Sequence, residues 1–91
     1  MQPEEKQKHD LIYKAISVVI QRRLDELKKS QRSVAHEYGV ETSYVSRMKN
    51  NKNEPLLFHF WKMINALGMK PSEFFVLLEK ELPVDFVLYD L

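Results

Sequence analysis

Between Ser30 and Pro55 the chain reads Ser-Gln-Arg-Ser-Val-Ala-His-Glu-Tyr-Gly-Val-Glu-Thr-Ser-Tyr-Val-Ser-Arg-Met-Lys-Asn-Asn-Lys-Asn-Glu-Pro. Helical spacing over its second half gathers Thr42, Ser43, Ser46, Arg47 and Asn50 on one face. These are short polar groups plus one guanidinium, able to donate and accept hydrogen bonds without bulk. A helix with such a face fits the major groove of duplex DNA, where an arginine can reach two acceptors of one guanine. The other reactive side chains assemble into nothing comparable. His9, His36 and His59 are too scattered for ligand spacing, and the chain has no cysteine. No metal site is expected, and disulfides, thiolate zinc sites and cysteine nucleophiles are excluded together. No glycine-flanked nucleophile or Gly-rich phosphate loop accompanies the serines, so the chain is read as a non-enzyme with no cofactor.

The elements that must hold this face are helical. From Asp10 the apolar positions Ile12, Ile16, Val19, Ile20, Leu24 and Leu27 recur at steps of three and four, one stripe of a long amphipathic helix. Asp10 is one N-cap for it; Pro3 followed by Glu4 and Glu5 is an earlier start. Ser30 caps a short second helix, Gln31 to Tyr38, with Val34, Ala35 and Tyr38 inward, and Gly39 stops it. A third helix, Thr42 to Asn50, turns Val45 and Met48 inward; small Ala35 and Gly39 let the two short helices cross at a steep angle. Residues 50–55 form a loop. A fourth helix, Leu56 to Leu67, places Leu57, Phe60, Trp61, Ile64 and Leu67 at helical spacing and ends at Gly68. Pro71-Ser72-Glu73 opens a fifth helix carrying Phe74, Phe75, Leu77 and Leu78; Pro83 breaks it. The expectation is an all-α domain of five helices with a short apolar C-terminal extension. Phe58, Phe60, Trp61, Phe74 and Phe75 are assigned to its core.

At 91 residues the chain has room for one small domain. Its expected organisation is a polar segment over 1–10, the helical domain over 11–82 and the extension over 83–91. The longest apolar run, Phe74 to Leu78, is far too short to span a membrane, and the polar N-terminus is no signal peptide, so a cytoplasmic location is expected. Net charge is only +1, but it is unevenly spread. Residues 28–52 carry Lys28, Lys29, Arg32, Arg47, Lys49 and Lys52 against Glu37 and Glu41, whereas residues 55–91 hold an acidic excess. A basic centre on a near-neutral chain points weakly to a polyanionic partner.

The stretch resembles the lambda-repressor and Cro-like helix-turn-helix family, of the xenobiotic-response-element type. The residues that carry the resemblance are Ser30-Gln31, Val34-Ala35, Gly39-Val40, Ser43-Tyr44-Val45-Ser46-Arg47 and the loop from Asn50 to Pro55. It continues through Leu67-Gly68 and Pro71-Ser72-Glu73-Phe74-Phe75, covering roughly residues 16 to 78. By position, the resemblance implies that Thr42, Ser43 and Arg47 read base edges. It likewise implies that Gln31, Tyr44, Asn50 and Lys52 meet the sugar-phosphate backbone, Gln31 with help from the helix N-terminus. Several residues depart from the family pattern. The turn before Ser30 lacks the usual Gly-Leu, Glu41 stands where a capping hydroxyl is common, and Asn51 replaces a loop glycine. Lys49 replaces a glutamate that pairs with an arginine on the first helix, and Asp25 offers a reversed pair.

The implied function is sequence-specific binding of double-stranded DNA as a homodimer, regulating transcription as a repressor. The alternative is a protein-interaction module on the same scaffold, binding another regulator or a toxin. Residues 55–91 hold seven of the ten aromatics, more than one small core needs. The apolar tail from Val84 to Leu91 therefore has two readings that the sequence leaves open: pairing across a two-fold axis with the fifth helix, or folding back on its own chain.

Overall fold

The structure, a computed structural model, describes residues 3–38 and 57–89. These hold α1 (Pro3–Leu27), α2 (Gln31–Tyr38), α3 (Leu57–Ala66) and α4 (Pro71–Lys80), with no strand among the described residues. The domain is all-α. The helix expected from Thr42 to Asn50, and the turn at Gly39 before it, lie outside the described residues.

The first helix takes the earlier of its two starts. Proline at the first helical position has no N–H to lose, and Glu4 and Glu5 place negative charge against the positive end of the helix dipole. Asp10 therefore sits inside the helix and caps nothing. Ala15, Ile16, Val19, Ile20 and Leu24 are buried, Ile12 and Tyr13 pack partly against them, and Leu27 is half-buried. α1 packs on α4, α2 on α3, and α3 on α4. At the centre Phe74, fully buried, meets Phe60 edge to face at 5.5 Å. No polar or charged residue is buried among the described residues, so packing against this cluster is almost wholly apolar.

Part of the expected core lies outside it. Leu57 and Phe58 are each 74% exposed, Trp61 is 51% exposed and Phe75 43%. The cause is helix geometry. The buried face of α3 runs through Phe60, Met63, Ile64 and Leu67, and at ~100° per residue Leu57 and Trp61 are rotated ~60–100° away from Phe60. On α4, Phe74 and Leu78 are one turn apart and inward, which turns Phe75, Val76 and Leu77 outward. The apolar stripes are wider than the faces the core can cover.

Beyond Pro83 the chain makes a turn, with Phe86 N–H donating to the Pro83 carbonyl at 3.0 Å. The strand-prone residues that follow form no strand over the described residues, having no edge there to pair with. Instead the tail lies along the N-terminal half of α1, where Lys8 Nζ donates to the Val87 carbonyl at 2.7 Å.

Candidate nucleic-acid interface

The start of α2 is built by two devices in sequence. α1 ends with Lys28 in the left-handed region, φ 55°. Lys29 N–H donates to the Leu24 carbonyl at 3.0 Å and Lys28 N–H to the Asp25 carbonyl at 3.2 Å, the paired bonds of a Schellman ending. The chain thus reverses where the family pattern has glycine, and a lysine occupies the strained position. Ser30 then caps α2: its Oγ accepts from Ser33 N–H at 3.1 Å while its carbonyl accepts from Val34 N–H. Gln31, half-buried, is the first residue of the helix, with exposed Arg32 beside it. Lys28, Lys29 and Arg32 cluster at a helix N-terminus whose dipole already favours an anion.

A second joint fixes α3, the helix against which α2 packs. α3 also ends in a Schellman pair: Met69 N–H to Ile64 O at 3.3 Å, and Gly68 N–H to Asn65 O at 2.9 Å, with Gly68 at φ 75°. Here glycine supplies the left-handed residue, and buried Met69 and Ile64 add the apolar contact that accompanies such an ending. Arg23 of α1 closes it. Its Nε donates to the Leu67 carbonyl at 2.7 Å and its Nη2 to the Gly68 carbonyl at 3.4 Å, while Nη1 pairs with Glu26 at 3.1 Å. The guanidinium neutralises the negative end of α3 and ties it to α1. Val34 and Ala35 anchor α2 below these joints, both buried. Farther along, Arg22 of α1 pairs with Glu81 at the end of α4. Glu73 accepts from Lys70 N–H at 3.1 Å, steadying the start of α4.

Of the residues assigned to DNA contact, Gln31 stands at the capped start of α2. Thr42, Ser43, Tyr44, Arg47, Asn50 and Lys52 lie outside the described residues, as do Glu41, Lys49 and Asn51. Asp25, offered as a partner for Lys49, accepts from Gln21 at 2.9 Å. Sequence reasoning did not anticipate the Arg23 clamp. Its only signal was an arginine placed one turn before the end of the α1 stripe. Among the described residues no cluster of three or more metal-binding side chains stands together, and no helix is long and apolar enough to cross a membrane.

Comparison with known proteins agrees with this arrangement. Neither the curated proteins nor the solved structures contain a significant match to the chain. A family model described as helix-turn-helix matches residues 19–74, which begin in the buried half of α1 and end at Phe74, the centre of the core. With more than half its length matched, the chain belongs to the lambda repressor/Cro-like helix-turn-helix family of DNA-binding transcription regulators.

Proposed function

We propose that this protein binds specific sequences of double-stranded DNA as a homodimer and represses transcription in the cytoplasm, acting by occupancy and not by catalysis. The observation that carries the reading is the family match over residues 19–74, which encloses Thr42, Ser43 and Arg47 in one run. In this reading Arg47 bonds a guanine through two acceptors, and Thr42 and Ser43 contact neighbouring base edges. Gln31, Tyr44, Asn50 and Lys52 hold the phosphates and set the register. One short recognition helix supplies little affinity, so two copies reading half-sites ~34 Å apart are required.

Selection of bound sites from a random duplex library tests the proposal. It should return a two-fold symmetric sequence with one half-site spacing, bound with an affinity that falls steeply as salt is raised. Recovery of no consensus would refute it. A second reading, a protein-interaction module on the same scaffold, draws on the net charge of only +1 and on Glu41 beside the reading face. A gel shift with random duplex at low salt separates the two: the module leaves the DNA unshifted.

A further inference from the structure

The outward face of α3 has no counterpart in the DNA reading. Leu57, Phe58 and Trp61 line an open groove with Lys62 and Asn65, and among the described residues its lining carries one charge, the Lys62 ammonium. Leu57 and Phe58 are 74% exposed and Trp61 51%. Phe58 has the edge of His59 at 5.6 Å and still shows most of its ring to solvent. If a large apolar side chain offers ~200 Å² in full, these fractions leave ~400 Å² of apolar surface open on one helix face. Single exposed apolar residues need no explanation; a contiguous patch of ~400 Å² is of the order of the largest on a typical monomer, and such patches are often functional.

We propose that this face is the centre of the homodimer interface, occupied by the same face of a second copy; the inference rests on the homodimer reading above and names its contact. The area argues for it. A standard interface buries ~800 Å² per partner, of which ~57% is apolar, so ~450 Å² of apolar surface per copy is needed. The α3 face supplies nearly all of that. Charge argues the same way: with a net charge of +1 the copies repel each other little, and Lys62 lies at the edge of the apolar stripe. An isologous contact needs one self-complementary patch, and a leucine, phenylalanine and tryptophan on one helix provide knobs and a groove on the same surface. Position argues last. Leu57 lies five residues after Lys52 in the sequence, so chain connectivity alone couples this face to the segment assigned to DNA. The tail is tied to α1 through the Lys8–Val87 bond but leaves Val84, Leu88 and Tyr89 exposed, so truncation after Leu82 is the control that separates it from the α3 face.

Trp61 is the only tryptophan, so its fluorescence reports on this face alone. Across a dilution series of the full chain, sedimentation equilibrium should show monomer passing to dimer, with Trp61 emission shifting to shorter wavelength over the same concentrations. Phe58→Asp, a substitution at an exposed position, should weaken dimerisation by ~100-fold or more, since two carboxylates would meet across the axis. Its circular dichroism spectrum should remain that of the native fold, and its melting should match that of the native chain diluted to monomer. Dimerisation with no change in Trp61 emission overturns the interface, as does a Phe58→Asp variant that dimerises as well as the native chain. So does a chain that remains monomeric at every concentration, or dimerisation lost on truncation after Leu82 but kept in Phe58→Asp. A gel shift on the native chain with random duplex at low salt keeps the two claims apart. Failure to bind DNA by a chain that dimerises through Trp61 refutes the DNA reading and supports the interface.

Discussion

The joint between α1 and α2 gives a prediction whose size follows from one torsion angle. Lys28 adopts φ 55°, a conformation that costs a residue with a Cβ ~1–2 kcal/mol. Glycine escapes that strain but loses more backbone entropy on folding, by ~0.5–1 kcal/mol, so its net advantage over alanine at this site is ~1 kcal/mol. Lysine contributes a compensating term, since a cation at a helix C-terminus is worth ~0.3–1 kcal/mol. Lys28→Gly should therefore change stability little relative to the native chain. Lys28→Ala, which loses the charge and keeps the strain, should be the less stable of the two. An unfolding entropy of ~2.1 cal/mol/K per residue puts a 91-residue chain near ~190 cal/mol/K, so 1 kcal/mol corresponds to ~5 °C in Tm. Thermal unfolding of both variants by far-UV circular dichroism, at one protein concentration and one salt, measures the difference. A glycine variant that melts at or below the alanine variant would refute the reasoning, because Lys28 would then not be strained in solution.

The joint after α3 obeys the same balance: Gly68→Ala imposes φ 75° on a residue with a Cβ, placed 3.2 Å from Arg23 Nη2, and should cost ~1 kcal/mol in urea unfolding. Arg23→Gln leaves the carbonyls of Leu67 and Gly68 without their charged donor and should cost ~1.5–3 kcal/mol by the same measurement; a neutral result would mean water replaces the clamp freely. Arg47→Ala should weaken the preferred site by ~1–3 kcal/mol and relax its sequence preference, whereas Lys52→Ala should weaken all sequences alike and lower the salt slope by ~1. Competition gel shifts distinguish these, and an identical loss for both variants would refute the division between base and backbone contacts.

Periodicity was enough to find α1, α2, α3 and α4, because long apolar stripes, Ser30 before Gln31 and Pro71 before Glu73 are local signals. It was not enough to divide each stripe between core and surface. Leu57 and Trp61 share helical spacing with Phe60 and Ile64, but only a neighbour decides where a stripe stops being covered, and neighbours are tertiary information. The ending at Lys28 shows the same limit. The missing glycine was visible as a departure from the family pattern, yet nothing local says that lysine would take the left-handed position. Arg23 was illegible for a related reason: its partners, the carbonyls of Leu67 and Gly68, lie more than forty positions away. The position of Gln31 at a serine-capped helix start is legible in the sequence, since the cap is written in adjacent residues.

How the apolar residues are divided bears on function. With no polar residue buried among those described, specificity of packing rests on shape alone, through Phe74, Phe60, Ile20, Met63 and Leu67. A core of that kind in a short chain gains from every apolar side chain it can enclose. Yet Leu57, Phe58 and Trp61 remain outside, where each favours non-specific association over solubility. Folding stability does not account for three large apolar residues on one exposed helix face. A contact that forms after folding does, and in a helix-turn-helix protein the contact that sets the distance between two reading segments also determines which DNA sites are bound.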